Sequence, residues 1–271
     1  MKTAPRTISR RHALWQMLLL GLSPSIAGAS EFVVFDGLLH QKKPGSRRLG
    51  LAPITAIANI WRKKSQQEVD EDGVISALRQ LPAQTHTAFF DIECWPVLRV
   101  TDSIRMESLR KFMRVAEITR REKPELKFGF YGIPPAHTYW PLATSQFKDE
   151  YQEWRQANRT LKPLAEQVDF IFPSLYTYYE DRDGWKRYAT AMLDAARHHE
   201  KPVMPFLWFE YHDSNSQLRD HELNAASWRE ELALCHQLAD GVVLWGGYQR
   251  NWSDSARWWN AAKKEFQLNA L

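Results

Sequence analysis

The sequence lacks the motifs by which many enzymes hold a nucleotide or a metal ion. No G-x-G-x-x-G and no P-loop occurs in its 271 residues, so a glycine-rich phosphate cradle is not predicted. The nine histidines show neither H-E-x-x-H nor H-x-H spacing, which argues against a metal site. We therefore predict no metal and no cofactor, and we look for the chemistry among ordinary side chains.

Cysteine is scarce, since only Cys94 and Cys235 are present. Cys94 follows a pair of acids, whereas Cys235 lies in a predicted helix beside Leu234 and Leu238. A disulfide would require their Cα atoms to lie close together, and nothing in the sequence indicates this. Two free thiols are the favoured interpretation, with a disulfide as the alternative.

The first 29 residues have the pattern of a cleavable export signal. An apolar run over 13–22 follows several basic residues, and Ala27-Gly28-Ala29 supplies a small-residue cleavage site. Arg10-Arg11 resembles a twin-arginine signal, which exports a folded protein. The apolar run is too short for a comfortable transmembrane span. We therefore predict a periplasmic or secreted protein with no membrane span in its mature form.

The formal net charge of +4 belongs to this N-terminal segment, which carries four basic residues and no acid. Without it the 36 Lys and Arg fall to 32, which equals the 32 Asp and Glu. A nearly neutral domain has no overall basic field to recruit nucleic acid. The sequence thus predicts no nucleic-acid partner.

Residues 30–271 show short apolar runs that alternate with longer amphipathic stretches, without a linker rich in Pro, Gly or Ser. This alternation is typical of a parallel sheet with crossover helices. We predict an α/β fold, specifically a single (β/α) TIM-like barrel with about seven to eight parallel strands. The predicted strands lie at 31–39, 54–60, 86–93, 127–131, 168–172, 203–209 and 241–245. The main predicted helices lie near 69–81, 102–121, 146–166, 188–196 and 219–238, with a terminal helix around Trp258.

Asp91 and Glu93 end the predicted strand 86–93. Because alternate strand residues share a face, both carboxylates would lie on one side, about 7 Å apart at a rise of roughly 3.3 Å per residue. Trp95 would follow on that side, and Pro96 would end the strand. Two neighbouring acids of unequal acidity can act as a general acid and an anion, as glycoside hydrolysis requires. The alternative is structural: Asp91 caps a turn and Glu93 pairs with a surface arginine.

Other acids and aromatic residues lie at predicted strand ends, where barrel enzymes place their active sites. They are Tyr131, Tyr176, Trp208, Glu210 and Trp245. The aromatic residues are candidate surfaces for sugar rings; the alternative is a place in the hydrophobic core, where large aromatic side chains most often pack. Glu210 is either a partner of the active-site groups or half of a structural ion pair.

Four segments together resemble motifs of the hyaluronidases, endoglycosidases that cleave at N-acetylhexosamine. Asp91-Ile-Glu93-Cys-Trp95-Pro96 resembles D-x-E-x-W of that family, and Phe130–Pro134 resembles its Y-Y-G-F-P. Pro173–Tyr176 is similar to P-S-I-Y, and Gly241–Gly246 is similar to G-V-V-L-W-G. The four segments occur in the family's order, each at a predicted strand end, across about two thirds of the chain.

The resemblance implies a barrel glycosidase that retains configuration through substrate assistance. Glu93 would be the acid/base, and Asp91 would orient the acetamido group of the substrate. Tyr131, Tyr176 and Trp245 would line the subsite next to the cleaved bond. The expected partner is a polysaccharide or glycosaminoglycan-like substrate.

The sequence departs from the family in two places. Pro96 follows Trp95 directly, where the family has an arginine between them. The segment Pro135–Trp140 replaces an asparagine-bearing loop. Two other function classes remain open: a non-catalytic carbohydrate-binding barrel of the cell envelope, and a structural envelope protein that binds a partner.

Overall fold

The computed structural model describes residues 31–58 and 68–268, which form parallel sheets flanked by helices. The predicted export signal lies outside the described residues, as does the end of the predicted strand 54–60. Across the described residues, no helix is both long enough and apolar enough to span a membrane.

Seven strands occur within the described residues, and every hydrogen-bonded strand pair among them is parallel. One sheet has the order β2-β1-β7-β6 and the other the order β3-β4-β5. The strands are β1 (Val33–Leu38), β2 (Ala52–Pro53), β3 (Thr55–Ile57), β4 (Thr87–Phe90), β5 (Lys127–Phe130), β6 (Phe206–Trp208) and β7 (Gly241–Gly246). The predicted α/β class with parallel strands is confirmed.

The run from Ala52 to Ile57 changes its pairing partner at Ile54. Its first part, β2, pairs with β1, whereas its second part, β3, pairs with β4. The run therefore belongs to both sheets.

The segment 168–174 lies between β5 and β6, but the predicted regular strand over 168–172 is wrong. Isolated bridges join Tyr131 to Phe172 and Ser174 to Phe206 instead. Prolines interrupt the ladder because they have no N–H to donate. Pro173 lies within the segment, while Pro202 and Pro205 lie in the chain beside it. The described chain thus has two sheets joined by bridges, and one closed barrel stays a prediction.

Eight α-helices occur in the described part of the chain. They are α1 (Glu71–Gln80), α2 (Asp102–Glu122), α3 (Trp140–Ala143), α4 (Lys148–Thr160), α5 (Lys162–Gln167), α6 (Arg182–Arg197), α7 (Ala225–Leu238) and α8 (Arg257–Glu265). The predicted helix 146–166 is divided into α4 and α5 at Leu161, because Pro163 favours the first turn of a new helix. The predicted helix 219–238 begins only at Ala225, where the Asn224 side chain caps it.

Alternate residues along the strands belong to two separate hydrophobic clusters. Phe89, Phe206 and Val243 belong to a small cluster, whereas their neighbours, such as Phe90 and Leu207, belong to the large one. This separation follows from the two-residue period of a strand and requires both faces of the sheets to be buried. The rings of Tyr131, Trp208 and Trp245 pack against the small cluster. These rings lie at or just beyond the carboxyl ends of their strands.

Candidate active site

The acid-bearing strand ends at Phe90, so Asp91 and Glu93 lie in the loop that follows β4. The prediction that the strand continues to residue 93 is wrong. The ladder ends beyond the hydrogen bond that Tyr131 N donates to Phe90 O at 2.9 Å, because the chain that follows β5 turns at Gly132. Gly132 makes this turn with a φ of 68°, which glycine adopts without strain.

Two cavities meet above these residues, one of about 590 Å³ and the other of about 390 Å³. Glu93, Tyr131 and His212 line both. We call the larger cavity the aromatic arm; its other walls include Arg99, His137, Tyr139, Trp140, Ser174, Tyr178 and Tyr179. We call the smaller one the acidic arm; its other walls include Asp91, Tyr176, Trp208, Glu210, Asp213, Asp220, Trp245, Tyr248 and Arg250.

Asp91 and Glu93 thus line the same cavity although neither is part of a strand. Asp91 is half-buried and Glu93 is exposed. Of the aromatic candidates, Tyr176, Trp208 and Trp245 line the acidic arm, and Tyr131 lines both. Seven of the eight predicted site residues therefore border the acidic arm.

Trp95 is the exception. It borders the aromatic arm, but it is 95% buried and belongs to the large hydrophobic cluster. Its ring packs edge-on against Phe112 at 5.1 Å. The expected placement beside both acids fails because the extended run ends at Phe90, before the alternation of side chains reaches Trp95.

The tyrosine hydroxyls near Glu93 are held in their protonated form. Tyr131 donates a hydrogen bond to Ser174 Oγ at 3.0 Å, and its ring lies 5.8 Å from that of Tyr176. Burial raises the pKa of Tyr131 well above its usual value, and the charge of Glu93 adds to this. Burial likewise raises the pKa of Tyr176, with a further contribution from Asp91. Both hydroxyls are hydrogen-bond donors at neutral pH.

Glu210 forms an ion pair in the wall of the acidic arm, and its role toward the active-site groups stays a prediction. Its carboxylate is 96% buried, accepts a hydrogen bond from Trp208 Nε1 at 3.1 Å, and lies 2.9 Å from Arg250 Nη2. Burial raises the pKa of Glu210, while Arg250 and the Trp208 hydrogen bond oppose the shift. The ion pair fixes Trp208 and Arg250 in the wall of the acidic arm.

Three residues without a predicted role also line the site: His137, Tyr178 and His212. The Tyr178 hydroxyl lies 3.2 Å from His137 Nε2, and its ring lies 4.6 Å from that of His212. Burial lowers the pKa of His137 to about 4, with help from His212, and burial also lowers the pKa of His212. Both imidazoles are therefore neutral at pH 7 and accept hydrogen bonds.

A two-residue alternation in the sequence indicates two of these residues, Tyr178 and His212. Ser174, Tyr176 and Tyr178 line the two cavities, whereas Leu175 and Thr177 between them do not, as the alternation of an extended segment requires. Trp208, Glu210 and His212 alternate in the same way. Extending the two-residue period past each predicted strand end would have found Tyr178 and His212.

The remaining polar chemistry of the described residues is limited. No group of three His, Cys, Asp or Glu side chains among them is arranged to hold a metal ion. Cys94 and Cys235 are both free thiols, in agreement with the favoured interpretation. Burial raises the pKa of each thiol.

Comparison with known proteins identifies the fold. No protein-family model and no curated protein sequence matches the chain. A solved structure of bee venom hyaluronidase is 18% identical and aligns with a TM-score of 0.59, over 80% of this chain and 91% of that one. The fold of this chain is similar to that of bee venom hyaluronidase.

A second structure of bee venom hyaluronidase, in complex with a hyaluronic acid tetramer, agrees with this result. It is 16% identical, has a TM-score of 0.58, and covers 89% of this chain and 97% of that one. A chitinase from Chromobacterium violaceum aligns with a TM-score of 0.47 at 10% identity. The predicted resemblance to hyaluronidases is confirmed at the level of the fold.

Proposed function

We propose that this protein is a glycoside hydrolase that cleaves a glycan containing N-acetylhexosamine, with retention of configuration by substrate assistance. The observation that carries the proposal is the position of Glu93, an exposed carboxylic acid at the junction of two cavities. A polymer lying through both arms would pass its glycosidic bond over this carboxyl group. The similarity of the fold to that of bee venom hyaluronidase supports the proposal.

In the first step, protonated Glu93 donates its proton to the glycosidic oxygen, and the bond from that oxygen to the anomeric carbon breaks. The carbonyl oxygen of the substrate's acetamido group forms a new bond to the same carbon, which gives an oxazolinium ion. Asp91 orients the acetamido group and stabilises the developing positive charge. The hydroxyls of Tyr131 and Tyr176 donate hydrogen bonds to the sugar or its acetamide.

In the second step, the Glu93 carboxylate accepts a proton from water as the water oxygen attacks the anomeric carbon. The bond to the acetamido oxygen breaks, and the acetamide is restored. Two inversions at one carbon give net retention, and Glu93 is returned to its acid form. No cofactor is consumed.

The acidic arm indicates which glycan fits. Its wall carries Asp91, Glu210, Asp213 and Asp220 besides Glu93. Arg250, which is paired with Glu210, is the single cation among the described residues of this wall. A polymer with a carboxylate on every second sugar would meet repulsion there. We therefore propose an uncharged or weakly charged amino-sugar polymer rather than a polyuronate.

The alternative function is a non-catalytic carbohydrate-binding barrel of the cell envelope. Loss of an acid would be the usual mark of such a protein, and both acids line the cavity. Turnover separates the two functions, since a binding protein retains the sugar without cleaving it.

The decisive experiment is Glu93→Gln, tested on a panel of amino-sugar glycans. The substitution keeps the shape of the side chain but removes the transferable proton. We expect kcat to fall by ~10²-fold or more with glycan binding retained, because general acid catalysis contributes on that scale. A variant that keeps the wild-type kcat would exclude Glu93 as the acid.

We further propose that the protein is exported, because Arg10-Arg11 and Ala27-Gly28-Ala29 have the pattern of a processed twin-arginine signal. N-terminal sequencing of the protein from the periplasm is expected to begin near Ser30. An intact N-terminus recovered from the cytosol alone would contradict export.

A further inference from the structure

Two large aromatic side chains are exposed in the wall of the aromatic arm. Trp140 is 41% exposed and Tyr179 is 37% exposed. Their ring centroids lie 4.7 Å apart at an interplanar angle of 36°. The two rings are in contact, and their exposed parts form one apolar patch, which we call the platform. An exposed aromatic surface inside a cavity indicates a binding site more strongly than an isolated exposed residue does.

The platform is held in place by its surroundings. Tyr139 is buried behind it, with its ring 5.2 Å from that of Trp140 and 5.3 Å from that of Tyr179. Trp140 begins α3, whose Ala143 carbonyl accepts a hydrogen bond from Arg187 Nε at 2.6 Å. A ligand that stacks here therefore loses little energy to ordering of the protein.

The chain that leads into the platform is anchored as well. Trp154 Nε1 donates to Ala136 O at 2.7 Å, and Ala136 N donates to Asn158 Oδ1 at 2.8 Å. Both partners belong to α4, so this helix fixes the segment Pro135–Trp140. That segment is where the sequence departs from the hyaluronidase motif. Trp140, one of the two platform residues, thus lies in a segment that is particular to this chain.

Polar groups lie in the same cavity as the platform and Glu93. His137 and Tyr178 line the arm, and His212 contributes an imidazole from the junction. Apart from Glu93, Arg99 is the only residue among the described lining residues that is charged at neutral pH. Apolar rings with a few hydrogen-bonding groups suit a pyranose, which has C–H groups on its face and hydroxyls around its rim.

We propose that Trp140 and Tyr179 form a stacking subsite for a pyranose ring of the glycan, remote from the ring that is cleaved at Glu93. The inference rests on the proposed function and extends it, because it makes affinity depend on glycan length. A short glycan held at Glu93 leaves the platform empty. A longer one reaches it and gains the stacking contact.

The experiment measures binding and turnover separately. Binding of an N-acetylhexosamine disaccharide and hexasaccharide is measured by calorimetry with the Glu93→Gln chain, alone and combined with Trp140→Ala or Tyr179→Ala. Each platform change is expected to weaken hexasaccharide binding by roughly threefold to tenfold, the range of one aromatic contact. Disaccharide binding is expected to stay within about twofold.

Two further variants test whether ring stacking, rather than a hydrogen bond, accounts for hexasaccharide binding. Tyr179→Phe keeps the ring and is expected to bind the hexasaccharide normally, whereas a hydrogen-bonding role would be lost with the hydroxyl. Met106→Ala removes an exposed apolar side chain from α2, outside both cavities, and is expected to change neither affinity. Circular dichroism spectra confirm that each variant is folded.

The outcomes separate this inference from the proposed function. Hydrolysis by the wild-type chain tests the proposed function alone. Wild-type hydrolysis with hexasaccharide affinity unchanged by both platform variants would overturn the platform. Equal losses for the disaccharide and hexasaccharide would also overturn it. Length-dependent losses without any hydrolysis would support the platform and reject the catalytic proposal.

Discussion

The two arms share Glu93, Tyr131 and His212 but differ in the forces they can exert on a sugar. The acidic arm adds four carboxylates and one arginine, whereas the aromatic arm adds one arginine among tyrosine, tryptophan and neutral histidine side chains. Charge acts over several ångströms and is screened by salt, while stacking requires contact. We therefore propose that the arms have different tasks: the acidic arm selects the glycan and activates its glycosidic bond, and the aromatic arm binds the rest of the glycan.

This division has a source in the fold. The acidic arm is built at or just beyond the carboxyl ends of β4, β5, β6 and β7, where strand ends converge and bring Asp91, Tyr131, Trp208 and Trp245 together. Much of the aromatic arm comes from the loop 132–140 that follows β5 and from Tyr178 and Tyr179. A loop tolerates changes that a strand end does not. We therefore expect substitutions in the aromatic arm to change the preference for glycan length without abolishing cleavage of the glycosidic bond.

The largest effect is expected from Asp91→Asn in the acidic arm. An amide cannot stabilise the positive charge of an oxazolinium ion, so kcat should fall by roughly 10²- to 10³-fold, the range for losing one preorganised electrostatic contact. A thiazoline analogue of that ion should inhibit the wild-type chain tightly and the variant weakly. Steady-state kinetics with and without the analogue measure both effects.

Asp213→Asn is the matched control, since it removes an exposed carboxylate from the same arm. Its kcat on an uncharged glycan should stay near the wild-type value. Hydrolysis of glycans that carry no N-acetyl group, together with indifference to the thiazoline, would make Asp91 a nucleophile or base. Substrate assistance would then be rejected while the acidic arm remained the active site.

A smaller effect, on kcat/KM, is expected from the negative charge of the acidic arm and from its reduction. At low ionic strength, an uncharged N-acetylhexosamine oligomer should have a kcat/KM about tenfold or more above that of hyaluronan of equal length. The double change Asp213→Asn with Asp220→Asn should raise kcat/KM on hyaluronan a few-fold, to about the extent that two surface charges steer a ligand. The gain should disappear near 1 M salt, where the Debye length is only about 3 Å.

Glu125→Gln with Glu200→Gln makes the same change in net charge elsewhere. Both residues are exposed and lie shortly before strands or bridge segments, at the opposite ends from the site. This pair should not alter the preference between the two substrates. Equal gains from both double variants would mean that overall charge, and not the acidic arm, sets the preference.

The sequence predicted the chemistry of the acidic arm better than that of the aromatic arm. Asp91, Glu93 and Tyr131 stand at or just after apolar runs whose ends are visible in the sequence, so their convergence followed from the parallel topology. Trp140 begins the four-residue helix α3 and Tyr179 lies in a loop, and segments this short show no hydrophobic periodicity. Their meeting depends on α3 packing against α6, a tertiary contact that no local pattern encodes.

Two fold errors have the same origin. The regular strand expected at 168–172 is reduced to bridges because Pro202 of the neighbouring segment, like Pro173 just after the expected strand, has no N–H to donate. The strand to residue 93 stops early because β5 turns away at Gly132. In each case the local sequence favours a strand, but the neighbouring segment does not supply the hydrogen bonds that a longer ladder needs.

The smallest effect on catalysis, and a measurable one on stability, is expected from Glu231→Gln. Glu231 lies on α7, is 97% buried, and its Oε1 accepts a hydrogen bond from Thr177 Oγ1 at 2.6 Å. Thr177 stands between Tyr176 of the acidic arm and Tyr178 of the aromatic arm, so this contact supports the wall of both. We therefore expect Glu231→Gln to leave the substrate preference that the two arms set unchanged.

Burial raises the pKa of Glu231 to about 8, although the Thr177 hydrogen bond and Arg182 oppose the shift. An unfolded glutamate has a pKa of about 4.3. Between these values the folded chain binds a proton that the unfolded chain has released, so the free energy of unfolding falls as pH rises from about 5 to 8. Each unit of pKa difference contributes about 1.4 kcal/mol, and glutamine, which does not titrate, removes this loss.

Urea unfolding at both pH values should therefore show a smaller decrease for Glu231→Gln than for the wild-type chain, with substrate preference unchanged. An equal decrease in the free energy of unfolding of both chains would mean that groups other than Glu231 cause the pH dependence. Thr177 would then contribute only a packing contact.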